Sequence, residues 1–127
     1  METESTVFVE GSSDMDAVSQ AGYKRTAIYA RVAVHGQAQS SLRSQVEECY
    51  RYATSNGFQV IHVFEERFSG VQLDRPGLKQ LRDMVNRREV DAVIVYTPDR
   101  LTRNLAHSLI LCEEWQRAGI ELHFVSR

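Results

Sequence analysis

The sequence predicts an α/β domain, a small doubly wound and mainly parallel four-stranded sheet flanked by helices. Three observations carry that expectation. Four short runs rich in valine and isoleucine alternate with three amphipathic stretches. The runs are mostly apolar, as strands covered on both faces are. The connections are short, and strict alternation of this kind implies parallel strands joined by right-handed crossovers.

The strands are expected at Thr26 to Val32, Gln59 to Phe64, Val90 to Tyr96 and Ile120 to Val125. The first helix starts near Ser40 or Ser41, places Leu42, Val46, Cys49, Tyr50 and Ala53 at helical spacing, and stops at Asn56-Gly57. Asp74 reads as the cap of the second, with Pro76 in its first turn and Leu78, Leu81 and Val85 facing inward. The third carries Leu105, Leu109, Cys112 and Trp115 and ends at Gly119.

A chain of 127 residues closes one core. Residues 1–25 read as a flexible acidic leader, because Glu2, Glu4, Glu10, Asp14 and Asp16 are scattered among Ser, Thr and Gly, and only Val7-Phe8-Val9 could bury anything. The folded domain is expected over 26–127. No signal segment is evident and no window is apolar enough to cross a bilayer, so a cytoplasmic location without membrane contact is expected. The cysteines, Cys49 and Cys112, are expected as buried reduced thiols. His35, His62, His107 and His123 lack ligand-like spacing, and neither a metal nor a cofactor is expected.

A net charge of −2 excludes a uniformly basic surface. Distribution is more informative: of 15 basic residues only Lys24 and Lys79 are lysine. The planar fork of arginine suits bidentate contact with phosphate oxygens. In parallel sheets ligands gather beyond the carboxyl ends of the strands. There the chain places Arg31, Val32, Ala33 and the loop His35-Gly36-Gln37-Ala38-Gln39, then Glu65, Glu66, Arg67, Phe68, Ser69, Gly70 and Arg75, then Pro98-Asp99-Arg100-Leu101-Thr102-Arg103-Asn104, and finally Ser126-Arg127. Arg100 and Arg103 would share a face if the next helix has begun. Two readings of these arginines stand: a salt-bridged rim with Asp99, Glu65 and Glu66, or fixed cations aimed at the oxygens of a phosphorus centre.

Tyr29-Ala30-Arg31-Val32, Ser41-Leu42-Arg43-Ser44-Gln45, Phe68-Ser69-Gly70, Asp74-Arg75-Pro76-Gly77-Leu78 and Asp99-Arg100-Leu101-Thr102-Arg103 occur in this order. Over Thr26 to Val125 the chain resembles the catalytic domain of the resolvase and invertase family of serine site-specific recombinases. That resemblance implies a resolvase-like fold and double-stranded DNA as partner. It implies a serine after the first strand that attacks a phosphodiester, leaving a 5′-phosphoserine link and a free 3′ hydroxyl, with neither ATP nor metal needed. It implies dimers and tetramers in full-length members, which continue into a long interface helix and a DNA-binding domain; this chain is expected to be truncated before both and to be monomeric by itself.

Carried over motif by motif, Arg31, Arg75, Arg100 and Arg103 would contact the scissile phosphate, Asp99 would position arginines, and Tyr29 and Ser69 would line the pocket. Glu66 stands where many relatives have aspartate, one methylene longer and so a looser positioning group. Ala33 occupies the nucleophile's position, so the domain is expected to be inactive in strand cleavage. The alternative is a binding or regulatory module without enzymatic activity that keeps the fold. Other phosphate enzymes are poorly matched, for the chain has no Walker-type glycine loop and no acidic cluster after the first strand.

Overall fold

Residues 23–34 and 38–126 are described by a computed structural model, and the leader to residue 22, the loop residues His35 to Gln37 and Arg127 lie outside them. The central strand β1 (Lys24–Val32) is buried from Thr26 onward, as expected of an apolar run covered on both sides. It is followed by α1 (Ala38–Ser55), β2 (Phe58–Arg67), α2 (Pro76–Asn86), β3 (Ala92–Val95), the single turn α3 (Pro98–Leu101), α4 (Leu105–Arg117) and β4 (Glu121–Phe124).

All four strands are parallel and their order is β2-β1-β3-β4. The chain leaves β1 toward one edge and β3 toward the other. The two connections therefore part between β1 and β3, which is where open α/β sheets bind ligands.

The alternation of side chains along β1 divides the core. Ile28 and Ile94 meet Cys49 and Ala53 of α1, and Ala30 and Val32 meet Leu42. On the other face Ala27, Tyr29, Val93 and Val95 pack with Leu78, Leu81 and Val85 of α2 and with Leu111 and Trp115 of α4. A buried Cys49 thiol is pushed up to about 12 by its surroundings, which keeps it protonated.

Several elements differ from the sequence expectation for physical reasons. β1 begins at Lys24, inside the stretch read as leader, because Arg25 is anchored to Asp91 through its backbone amide (2.9 Å) and its guanidinium (3.0 Å). β2 runs on to Arg67, since its polar end pairs with Arg31 and Val32 of β1. β3 is shorter than expected and covers only Ala92–Val95, all four buried. α1 begins at Ala38, before the serines expected to start it.

The helix α2 is capped differently from the expectation. Arg75, not Asp74, is its N-cap residue and supplies no side-chain bond. On α4 the expected inward stripe is reversed in part. Leu111 and Trp115 are buried, whereas Leu105 and Leu109 are 76% and 63% exposed and Cys112 is exposed. Thr102 is extended and ends α3 after one turn, so Arg100 and Arg103 do not belong to one helix face.

A bidentate pair joins α2 to α4: Arg82 Nε and Nη2 donate to Glu114 at 3.0 and 2.7 Å, and Trp115 Nε1 donates to the same carboxylate at 3.1 Å. The Arg82 bonds hold the Glu114 carboxyl below its ordinary 4.5. A depressed folded value means that the pair stabilises the fold above that pH, and that this contribution fades as pH falls through the folded value. Glu114→Gln is expected to lose on the order of 1 kcal/mol at neutral pH. Denaturant titrations across the acid range, followed by Trp115 fluorescence, should also show a shallower acid loss in the variant.

Candidate functional site

The last residue of β1 that pairs with β3 is Tyr29, opposite Val95. Beyond it β1 continues alone on that side, and Arg31 projects from the same face of the sheet as Tyr29. Only 2% of Arg31 is exposed. Its guanidinium is surrounded by backbone oxygens: Nη1 donates to Phe68 O at 3.0 Å, Nη2 to Asp99 O at 2.6 Å and Nε to Arg100 O at 3.1 Å. One strand residue thus ties the loop after β2 to the turn after β3. Burial, with a smaller contribution from neighbouring Arg75, lowers the pKa of this guanidinium.

The two tied segments also bind each other. Phe68 N donates to Val32 O at 3.0 Å, Arg103 N to Gly70 O at 2.8 Å, and Thr102 Oγ1 to Gly70 O at 3.2 Å. Gly70 permits this approach, for a Cβ there would lie 2.6 Å from Arg31 Nη2 and 2.9 Å from Arg103 Cγ.

A buried polar layer lies alongside. Glu66 accepts from Gly77 N at 2.8 Å and Leu78 N at 3.1 Å, and from the Tyr29 hydroxyl. Its carboxylate therefore caps α2 from another strand, where free amides and the helix dipole favour an anion. The extra methylene expected to loosen Glu66 instead forms part of a side chain fixed by three bonds. Burial, reinforced by the bond to Glu66, holds the Tyr29 hydroxyl far above the ordinary phenol value, so it remains a donor. Arg75 is fully buried, with its guanidinium carbon 5.6 Å from the Tyr29 ring centre. Its Nη2 donates to Leu101 O, and Nε and Nη1 have no partner among the described residues.

The remaining expected site residues lie nearer the surface. Arg100 is half-buried, with Nη1 in a long 3.5 Å contact to Arg31 O, and Arg103 is exposed. The exposed Asp99 turns its carboxylate to the Thr97 hydroxyl at 2.6 Å, which holds it below the usual carboxylate range, while its carbonyl receives Arg31. Half-buried Ser69 accepts from Val71 N at 3.3 Å. Ala33 is exposed just beyond the end of β1. The structure therefore separates the arginines: Arg31 and Arg75 lie inside, while Arg100 and Arg103 lie outward.

Sequence reading gave no role to Gly70, Thr97, Thr102 or Gln45, although each helps to hold this arrangement. Gln45 carried a visible signal, as a polar residue within the apolar stripe of Leu42, Val46 and Cys49. Among the described residues no group of three or more His, Cys, Asp or Glu is placed to hold a metal ion. Among them no helix is long and apolar enough to cross a membrane.

A four-stranded parallel sheet with arginines gathered where its connections part defines an open α/β domain. Comparison with known proteins makes the family specific. The family described as Resolvase, N terminal domain, matches residues 26–127, and the chain belongs to it. Among curated relatives, a Bacillus subtilis (strain 168) protein with a provisional DNA recombinase description is 40% identical over 102 residues, covering 79% of this chain and 20% of its own. The DNA-invertase of Enterobacteria phage P7 is 36% identical over 92 residues, covering 72% of this chain and 44% of its own. This chain thus spans less than half the length of either.

Solved structures agree in fold and sequence. The N-terminal catalytic domain of TP901-1 integrase aligns with a TM-score of 0.75 and 31% identity, covering 80% of this chain and 78% of that one. The C-terminal catalytic domain of ISC1926 TnpA, an IS607-like serine recombinase, aligns with a TM-score of 0.75 and 32% identity, covering 81% and 70%. The fold is thus a resolvase-type serine recombinase catalytic domain.

Gly70→Ala tests the close packing at this site. The added methyl has no room beside Arg31, and chemical denaturation is expected to show a loss of about 1 to 3 kcal/mol. Stability equal to the unsubstituted chain would mean that Arg31 is not held against this turn.

Proposed function

We propose that this chain is the catalytic domain of a DNA site-specific recombinase that engages a phosphodiester without breaking it, because Ala33 stands at the position of attack. The observation that carries this reading is the division among the arginines. Arg31, held by three carbonyls, and Arg75, beside Tyr29, serve as the rigid interior of the site, and Tyr29, Glu66 and Ser69 hold the interior and its loop in place. Arg100 and Arg103, nearer the surface, are the phosphate ligands, and the turn containing Asp99 presents them. Fixed cations of this kind stabilise charge developing on a phosphoryl group without having to reorganise during the reaction.

With serine at 33, its oxygen would form a bond to phosphorus as the bond to the 3′ oxygen breaks, the proton ending on the released 3′ hydroxyl. An alanine methyl offers no electron pair for the first step. Loss of the nucleophilic serine from a serine hydrolase costs on the order of 10⁶ in turnover, and a comparable loss is expected here. Double-stranded DNA is the partner, dimers and tetramers are the assembly in which a longer protein would exchange strands, and the cytoplasm is where its substrate lies. Reaction at this site uses no cofactor.

A second reading has support from the outward apolar residues of α4. Leu105, Leu109 and Ile110 are 76%, 63% and 45% exposed, which suits a surface that binds protein. The chain would then act as a non-enzymatic partner of active recombinases.

Ala33→Ser, introduced into this domain and joined to the interface helix and DNA-binding domain of a relative, separates these readings. Covalent protein–DNA adducts on the relative's cognate site are expected with serine and not with alanine. A folded serine variant that forms none would sink the catalytic reading. Slowed recombination by an active relative on mixing with the unsubstituted chain would then support the regulatory one.

A further inference from the structure

At Arg31 the sheet has lost β3 as a neighbour, and a helix side chain takes its place. Gln45 Oε1 accepts from Arg31 N at 3.2 Å, and Gln45 Nε2 donates to Arg31 O at 2.9 Å. The two amide atoms pair with the N–H and C=O of a single residue, as the backbone of an adjoining strand would. The glutamine is 2% exposed, and Nε2 also lies 3.3 Å from Ser41 Oγ. Buried backbone groups need partners, and on the β3 side of Arg31 the sheet supplies none. A carboxamide is well suited to the task, since it carries one donor and one acceptor at fixed separation. A carboxylate would set an acceptor against a carbonyl, and an apolar side chain would leave both groups unmatched.

The clamped residue is the centre of the site. Its guanidinium holds Phe68, Asp99 and Arg100, its carbonyl lies 3.5 Å from Arg100 Nη1, and Ala33 follows two residues later. We propose that Gln45 is a positioning residue for position 33: its carboxamide fixes the direction in which β1 ends, so that a group at 33 faces Arg100 and Arg103. This rests on the proposed function, since it gives the clamp the task of aiming the attacking atom. It assigns to α1 a part in the chemistry although that helix packs on the opposite face of the sheet from Arg31.

The test uses the whole chain with C112S, which removes the exposed thiol, and A33C, which places a reporter at the position in question; the buried Cys49 stays protonated and silent. The pH profile of its reaction with a disulfide reagent reports the local field. With Gln45 intact, the reporter is expected to titrate about one unit or more below the ordinary thiol value near 8.5. Q45M, equal in length and without polar amide atoms, is expected to return at least about half of that shift. An unshifted profile in a Q45M chain with unchanged circular dichroism would overturn the positioning role while leaving the proposed function standing. A reporter that titrates as an ordinary thiol with Gln45 intact would remove the proposed function, and the clamp's chemical role with it.

Should Q45M fail to fold, amide exchange in the unsubstituted chain decides. The Arg31 amide has Gln45 as its partner and is expected to exchange at least about a hundredfold more slowly than the amide of exposed Val34. Equal exchange would overturn the clamp.

Discussion

A buried arginine bonded to the carbonyls of Phe68, Asp99 and Arg100 is the constraint on which the rest of the site depends. A guanidinium taken from water needs its N–H groups matched, and backbone carbonyls can do this only if the chain bends to present them. The loop after β2 and the turn after β3 both bend toward Arg31. That explains why Gly70 has no side chain, why Thr102 ends α3 after one turn, and why Arg103 N bonds to Gly70 O at 2.8 Å. A single side chain on the central strand thereby converts two connections into one surface.

Electrostatics constrains the same region in a second way. Arg31 and Arg75 are neighbours in the interior, and both have their pKa lowered, chiefly by burial. Like charges this close persist because the surroundings are strongly polarised: carbonyl dipoles around Arg31, and the Tyr29 ring and Glu66 beside Arg75. Glu66 is at once the cap of α2 and the acceptor for Tyr29, so the helix and the buried charges are linked. The outward Arg100 and Arg103 thus sit on a base that is already positively charged, which raises the attraction for an anion above what two surface arginines provide.

Much of this was legible in the sequence, and the parts that were not share a cause. Local patterns revealed the four strands, the helix stops and the gathering of arginines at the strand ends, because periodicity and turn residues are local properties. Whether an arginine points inward or outward depends on residues 26 to 69 positions away. The motifs therefore group Arg31 and Arg75 with Arg100 and Arg103, although the first pair is buried. Local pattern points to the adjoining Asp74 as the cap of α2, whereas the capping carboxylate is that of Glu66 on β2. Leu105 and Leu109 fit an inward helical stripe by spacing alone, yet α4 rests on the sheet through Leu111 and Trp115. The sequence marks Gln45 as a polar residue in an apolar stripe, but its partner is backbone left free by the early end of β3, which no residue type announces.

Hydrogen exchange on Arg31→Met measures the dependence of both loops on one side chain most directly. The expected result is that segments 68–70 and 99–103 gain exchange together, by about tenfold or more, while the second half of α1 keeps its protection. If either loop exchanged as it does in the unsubstituted chain, Arg31 would not be the element that joins them, and the division between interior and outward arginines would lose its basis.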